Sequence, residues 1–182
     1  MDALLPLACL PMQISWRNRA WRKIICETIR GDPEWHSGEY RSQPNSLKLA
    51  AQLLFLMGSN PLLRHQEGAT LQLADELLER EVAARVAKLD ANDLLYSVES
   101  SFDYDPGPSL EKIRAPLLSI NFGDDLINPP ELGILERQIK LVRQGRALVI
   151  PMSAETVGHG THTKAAVWKR HLERFLKDIE EN

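Results

Sequence analysis

The chain has 182 residues, 43% of them hydrophobic and 26% charged, which fits one domain of about 100–200 residues with a sizeable core and excludes a disordered or fibrous chain. Lys and Arg number 22 against 25 Asp and Glu, a net charge of −3, so there is no global basic footprint for nucleic acid or for an anionic membrane surface. No run reaches the ~18 apolar residues of a membrane-spanning helix.

Residues 3–10 are almost continuously apolar, the pattern of a strand buried on both faces of a parallel sheet. They do not read as a secretory leader, because Asp2 stands where a positive residue belongs and Pro6 interrupts the short apolar run. The two cysteines, Cys9 and Cys26, are too few for a disulfide framework. Their apolar surroundings read as buried thiols of a reducing compartment, so a cytoplasmic protein is expected.

Ser15 is placed to cap a helix through about Arg30, with Trp21, Ile24, Ile25 and Ile29 at helical spacing and Arg17, Arg19, Arg22 and Lys23 on a solvated face. Gly31-Asp32-Pro33 stops it. Ser46 is placed to cap an apolar helix over Leu47–Met57, which Gly58 and Pro61 end. Thr70 to about Leu89 reads as a long amphipathic helix carrying Leu73, Leu77, Leu78 and Val82 on one face, and a shorter helix follows from Asn92 to Ser101. Asp90 and Asp93 read as turn and cap chemistry.

After Asp105-Pro106-Gly107-Pro108 the texture changes. Leu117–Phe122 is a predicted strand, Pro130 to Val142 a helix, Ala147–Ile150 a strand, and Thr163 to about Ile179 a closing amphipathic helix. That alternation calls for parallel strands. The expected fold class is therefore α/β with about three parallel strands. Residues 1–11 and 106–182 form the core, and a helical insertion occupies 12–105.

In such a sheet, catalytic groups gather beyond the carboxyl ends of the strands. Two loops qualify: Gly123-Asp124-Asp125-Leu126-Ile127-Asn128-Pro129-Pro130 and Val157-Gly158-His159-Gly160-Thr161-His162. An Asp after one strand and a His after the next can meet, the carboxylate fixing the imidazole as a general base. The residues alone leave open Asp125 against Asp124 and His159 against His162. An ordinary structural hydrogen bond between the loops is the bland alternative. His159 and His162 lack a third ligand at zinc-site spacing, and His36, His65 and His171 belong to no constellation.

These segments together resemble the C-terminal portion of an α/β-hydrolase of the homoserine O-acetyltransferase type. Arg17-Asn18-Arg19, Asp32-Pro33, Trp35, Gly38 and Tyr40 resemble the start of that family's helical lid. Gln43-Pro44 with Ser46–Ala50 resembles its second lid helix, and Asn92–Tyr96 through Asp103-Tyr104-Asp105 its return. Asp125–Pro130 is similar to the acid loop and Gly158-His159 to the histidine loop. The resemblance implies that Asp125 is the triad acid and His159 the base, with residues 12–105 as the lid. Asp124 is then a solvated turn residue, and His162 caps or packs on the last helix. Trp16, Trp21 and Trp35 line an acyl tunnel, pack within the lid or form a dimer contact.

Two departures stand out. Gly160 follows His159 where the acetyltransferases carry an Asp, which weakens the case for recognition of a substrate ammonium group. No Gly-x-Ser-x-Gly nucleophile elbow occurs in the sequence. The expected function is an acyltransferase or an ester or thioester hydrolase whose acid and histidine lie here, while its serine comes from an N-terminal half supplied separately. The alternative is an inactive remnant or a protein-interaction module. The expected partners are a small-molecule acyl donor, an alcohol acceptor, and a second copy through the lid helices. No cofactor, nucleic acid or membrane is expected.

Overall fold

The computed structural model describes residues 2–181, which form two compact units. One comprises the residues up to Gln13, Gly58–Leu63 and the chain from Asp105 on; the other comprises Ile14–Met57 and Arg64–Tyr104. Gly58–Leu63 thus groups with the terminal segments rather than with the helices on either side of it in sequence.

The first unit is built on β1 (Leu117–Phe122) and β2 (Gly145–Ile150), parallel and in register from Leu117 opposite Gly145 to Phe122 opposite Ile150. All six residues of β1 are buried. Its other edge is taken by the N-terminal apolar segment, which runs parallel through bridges at Leu4–Leu117 and Leu7–Ile120. The Leu4 and Ala8 amides donate to Pro116 and Ile120, and the Leu118 and Ile120 amides donate to Leu4 and Pro6. Pro6 has no N–H to give to the ladder, which is why the expected third strand is interrupted into two bridges.

Alternation along β1 sends Leu118, Ile120 and Phe122 to one face, where Phe175 is buried with them and Trp168 and Leu172 pack alongside. Phe175, Trp168 and Leu172 lie on α7 (Ala165–Glu180). Leu117 faces the other way, into a smaller cluster with Leu110, Ile139 and Val142. Each large apolar side chain buried here contributes about 1.5–3 kcal/mol of transfer free energy. The single helix expected over Pro130–Val142 is instead a 3₁₀ turn at Pro130–Leu132, α6 over Ile134–Gln138 and another 3₁₀ turn at Ile139–Leu141. Gly133 breaks it in a left-handed conformation (φ 61°).

In the second unit α1 (Trp16–Gly31) packs on α5 (Ala91–Glu99). Trp21, Ile25 and Ile29 recur every fourth residue on the buried face of α1, and Leu94, Leu95 and Val98 are buried on α5. Ser15 occupies the N-cap position without a side-chain cap bond. Ser46 is the first residue of α2 (Ser46–Gly58), and its amide is held by the Asp32 carboxylate at 2.7 Å. Helices α3 (Pro61–Glu67) and α4 (Leu71–Val86) follow. On α4 Leu77 and Val82 are buried, whereas Leu73 is exposed.

Asp90 caps α5 through the amides of Asn92 and Asp93. The same carboxylate accepts from Tyr40 Oη at 2.7 Å and Gln43 Nε2 at 2.6 Å, while Trp35 Nε1 donates to Asn92 Oδ1 at 2.8 Å. Of the tryptophans proposed for an acyl site, Trp21 is buried and Trp16 is 86% exposed.

Candidate functional site

β1 ends at Phe122 and the chain turns at once: Gly123 N donates to the Ile150 carbonyl, keeping the two strand ends together, and Asp125 N donates to the Phe122 carbonyl. Asp125 is buried within this turn. One of its oxygens, Oδ1, accepts the amides of Ile127 at 2.8 Å and Asn128 at 3.0 Å. The turn is anchored in the sheet by Asn128 Nδ2, which donates to the Ala8 carbonyl, and by Asn121 Nδ2, which donates to the Asn128 carbonyl. Rigid support of this kind holds a carboxylate in one orientation.

The second oxygen, Oδ2, lies 2.9 Å from His159 Nδ1. An ionised carboxylate can only accept, so Nδ1 carries the proton; in the neutral imidazole Nε2 then keeps its lone pair, the tautomer a general base requires. The Asp125 side chain is fully buried, at 0% exposure, whereas His159 keeps 26%. The acid is shielded from water and the base retains an open edge.

The histidine loop is shaped from within by Thr161, itself buried: its hydroxyl donates to the Gly158 carbonyl at 2.7 Å and accepts the Val157 amide at 2.9 Å. Gly158 takes φ 71°, a region that costs any residue with a Cβ. Beneath the loop, Asn60 is 2% exposed and donates Nδ2 to the Thr156 carbonyl at 2.9 Å, while its Oδ1 accepts the Leu63 amide at 3.0 Å.

The structure thus brings Asp125 and His159 together. Asp124, expected as a solvated turn residue, is only 4% exposed. Its Oδ2 accepts the Gly158 amide at 2.6 Å, and it does not reach an imidazole. His162 sits beside His159, ring centroids 5.2 Å apart, and its Nδ1 donates to the His159 carbonyl at 2.6 Å. The His162 carbonyl in turn accepts Trp168 Nε1 from α7.

Cys9, near the end of the N-terminal apolar segment, is half-buried, and Cys26 is buried; both thiols are free. Burial first, and the Asp125 charge second, push the Cys9 thiol up. Among the described residues no three His, Cys, Asp or Glu side chains form a group that could hold a metal ion, and no helix is long and apolar enough to cross a membrane.

Sequence reasoning missed Asn60 as part of this site, and it named Asp124 only as the alternative acid or a solvated turn residue, without its bond to Gly158. Asn60-Pro61 reads locally as helix-start punctuation, and nothing in that dipeptide signals its partner at Thr156.

No protein-family model and no curated protein matches the sequence. Solved structures do. A homoserine O-acetyltransferase from Bacillus anthracis superposes with a TM-score of 0.80 at 18% identity, over 97% of this chain and 53% of that one. Esterase E22 gives 0.78 at 20% identity, over 97% and 54%. A homoserine O-acetyltransferase from Staphylococcus aureus gives 0.72 at 18% identity, over 96% and 51%. The chain has the α/β-hydrolase fold and spans about half the length of the structures it matches.

Proposed function

We propose that this chain supplies the acid and the base of a Ser-His-Asp acyltransferase or ester hydrolase, Asp125 and His159, and that the serine comes from a polypeptide segment outside these residues. The observation that carries the reading is the 2.9 Å contact between Asp125 Oδ2 and His159 Nδ1, made across loops that follow two adjacent parallel strands. Fully buried acid, partly open base and fixed tautomer are the properties this chemistry needs. Supporting it, the N-terminal apolar segment pairs with β1 along one edge, and among the described residues no strand pairs with its other edge. A bare edge is a place for a further strand.

In this reading His159 Nε2 takes the proton of the serine hydroxyl as its oxygen attacks the acyl carbonyl. Asp125 holds the imidazolium that forms. The same proton goes to the departing alcohol or thiol, leaving an acyl-serine, and water or an acceptor alcohol then completes the cycle with His159 again as base. The helical insertion over residues 12–105 is the lid in this reading. The fold neighbours include a homoserine O-acetyltransferase and an esterase, and an acyl-serine can serve both acyl transfer to an alcohol and ester hydrolysis.

The test is a thioester and p-nitrophenyl ester assay of the purified chain, alone and mixed with a polypeptide carrying the early strands and the serine elbow of this fold. Activity only in the mixture, abolished by His159→Ala, is the expected outcome. Activity of the chain alone that His159→Ala removes would refute the external nucleophile. Undiminished activity of Asp125→Ala in the mixture would refute the acid assignment.

A further inference from the structure

Two consecutive carboxylates on the acid loop grip two consecutive residues on the histidine loop. Asp125 Oδ2 meets the His159 side chain at 2.9 Å, and Asp124 Oδ2 accepts the Gly158 backbone amide at 2.6 Å. We propose that Asp124 is a positioning residue for the base: by holding the Gly158 amide it fixes the backbone from which His159 reaches Asp125. The proposal rests on the Asp125–His159 reading above and extends it to a residue that touches neither substrate nor imidazole.

Three observations support it. Asp124 is 4% exposed, and a carboxylate is seldom buried unless it is used. Its remaining oxygen, Oδ1, is buried with no hydrogen-bond partner among the described residues, a cost in stability that a residue serving only the turn would not carry. The bonds made by Thr161 give the histidine loop its internal shape, and those of Asn60 tie Thr156 to the Gly58–Leu63 segment. Neither joins the base-bearing backbone to the acid loop. The short charge-assisted bond from Gly158 to Asp124 does so, one residue before the base. Catalytic pairs need placement to within about 0.5 Å, which a single side-chain contact between two loops does not guarantee.

The experiment is histidine side-chain and amide NMR on the ¹⁵N-labelled full chain, with Asp124→Ala, Asp124→Asn and Asp125→Asn. In the unsubstituted chain the expected result is His159 in the Nδ1–H tautomer and a downfield, exchange-protected Gly158 amide. Asp124→Ala is expected to speed Gly158 exchange about tenfold and to send His159 into a tautomer mixture. Asp124→Asn, whose Oδ1 still accepts the amide, is expected to retain both signals.

An Asp124→Ala chain with His159 unchanged overturns the proposal, as does an Asp124→Asn chain disturbed as much as Asp124→Ala. If Asp124→Ala does not fold, the unsubstituted chain still decides, because an unprotected Gly158 amide excludes the grip. Should His159 lack the Nδ1–H tautomer without any substitution, and Asp125→Asn leave it unaltered, the underlying acid–base reading fails and this one with it. Loss of the tautomer in Asp125→Asn alone removes only Asp124.

Discussion

A Cβ built on Gly158 would stand 2.6 Å from the carbonyl oxygen of Gly58 and 2.7 Å from the backbone of Ser59, so the histidine loop and the Gly58–Leu63 segment meet backbone to backbone. The residue before the base is therefore glycine for two reasons, its φ of 71° and the absence of room. Gly158→Ala is expected to cost about 2–4 kcal/mol, from left-handed strain plus overpacking. At Gly160 the same added atom meets only Val157 Cγ2, at 3.6 Å, and Gly160→Ala is expected to stay within about 0.5 kcal/mol. Urea unfolding of both variants measures the contrast, and equal effects would show that the close approach is not made.

Asn60 is the polar counterpart of that contact. Asn60→Ala removes the donor to Thr156, in a buried setting, and the acceptor of the Leu63 amide, in a partly buried one. Orphaned groups of this kind cost about 1–3 kcal/mol. The expected signature is a lower urea midpoint with an unchanged slope, together with faster amide exchange over the histidine loop. A midpoint within error of the unsubstituted chain would contradict the assignment.

The parts of the site that were legible in sequence are those whose chemistry is local to a strand end. Leu117–Phe122 stands out as a continuous apolar run, and the loops after it and after Ile150 hold the acidic residues and the histidines expected there. Asp124 was misread because its neighbours spell a solvated turn, whereas its partner is a backbone amide on the histidine loop. Asn60 was missed for the same reason. The expected third strand was right in place and direction but not in continuity, since one missing proline N–H interrupts a ladder that hydrophobicity alone would complete. Gly133 broke a helix that periodicity favoured.

Asp90 gives the second unit an acid-sensitive joint. The bonds from Tyr40 and Gln43, then those from the Asp93 and Asn92 amides, outweigh desolvation and hold its carboxyl below the ordinary value. Because the folded chain binds this proton less readily than the unfolded chain, the contribution is present above the ordinary pKa of about 4 and lost as pH falls through the lowered one. Tyr40→Phe removes the leading donor. The stability gap between it and the unsubstituted chain is expected to be wide near pH 6 and narrower near pH 3, read by urea unfolding across that range. A gap independent of pH would refute the linkage.

Cys9 reports on Asp125 from outside the proposed chemistry. Burial, and after it the nearby carboxylate, push its thiol up, and only the thiolate alkylates. Iodoacetamide is expected to modify Cys9 more slowly than a free small thiol near pH 8, with the rate still rising beyond pH 9. In Asp125→Asn the midpoint of that rise is expected to move only partway down, since burial remains. Mass-spectrometric mapping separates Cys9 from Cys26. An unmoved midpoint would mean that the carboxylate charge does not reach the thiol.

Asp125→Asn also probes the proposed chemistry directly. The amide keeps the shape of the carboxylate and its Oδ1 can still accept the Ile127 and Asn128 amides, so the acid loop is expected to survive. The group then facing His159 Nδ1 can be an NH₂, which pairs only with an unprotonated Nδ1 and so places the proton on Nε2, where the lone pair is needed. In the reconstituted enzyme kcat is expected to fall about 10⁴-fold, the size of loss that the wrong tautomer produces in Ser-His-Asp enzymes. KM is expected to stay close to its original value, because Asp125 is fully buried and does not meet the substrate. A loss carried by KM instead would place Asp125 in binding and refute its assignment as the acid.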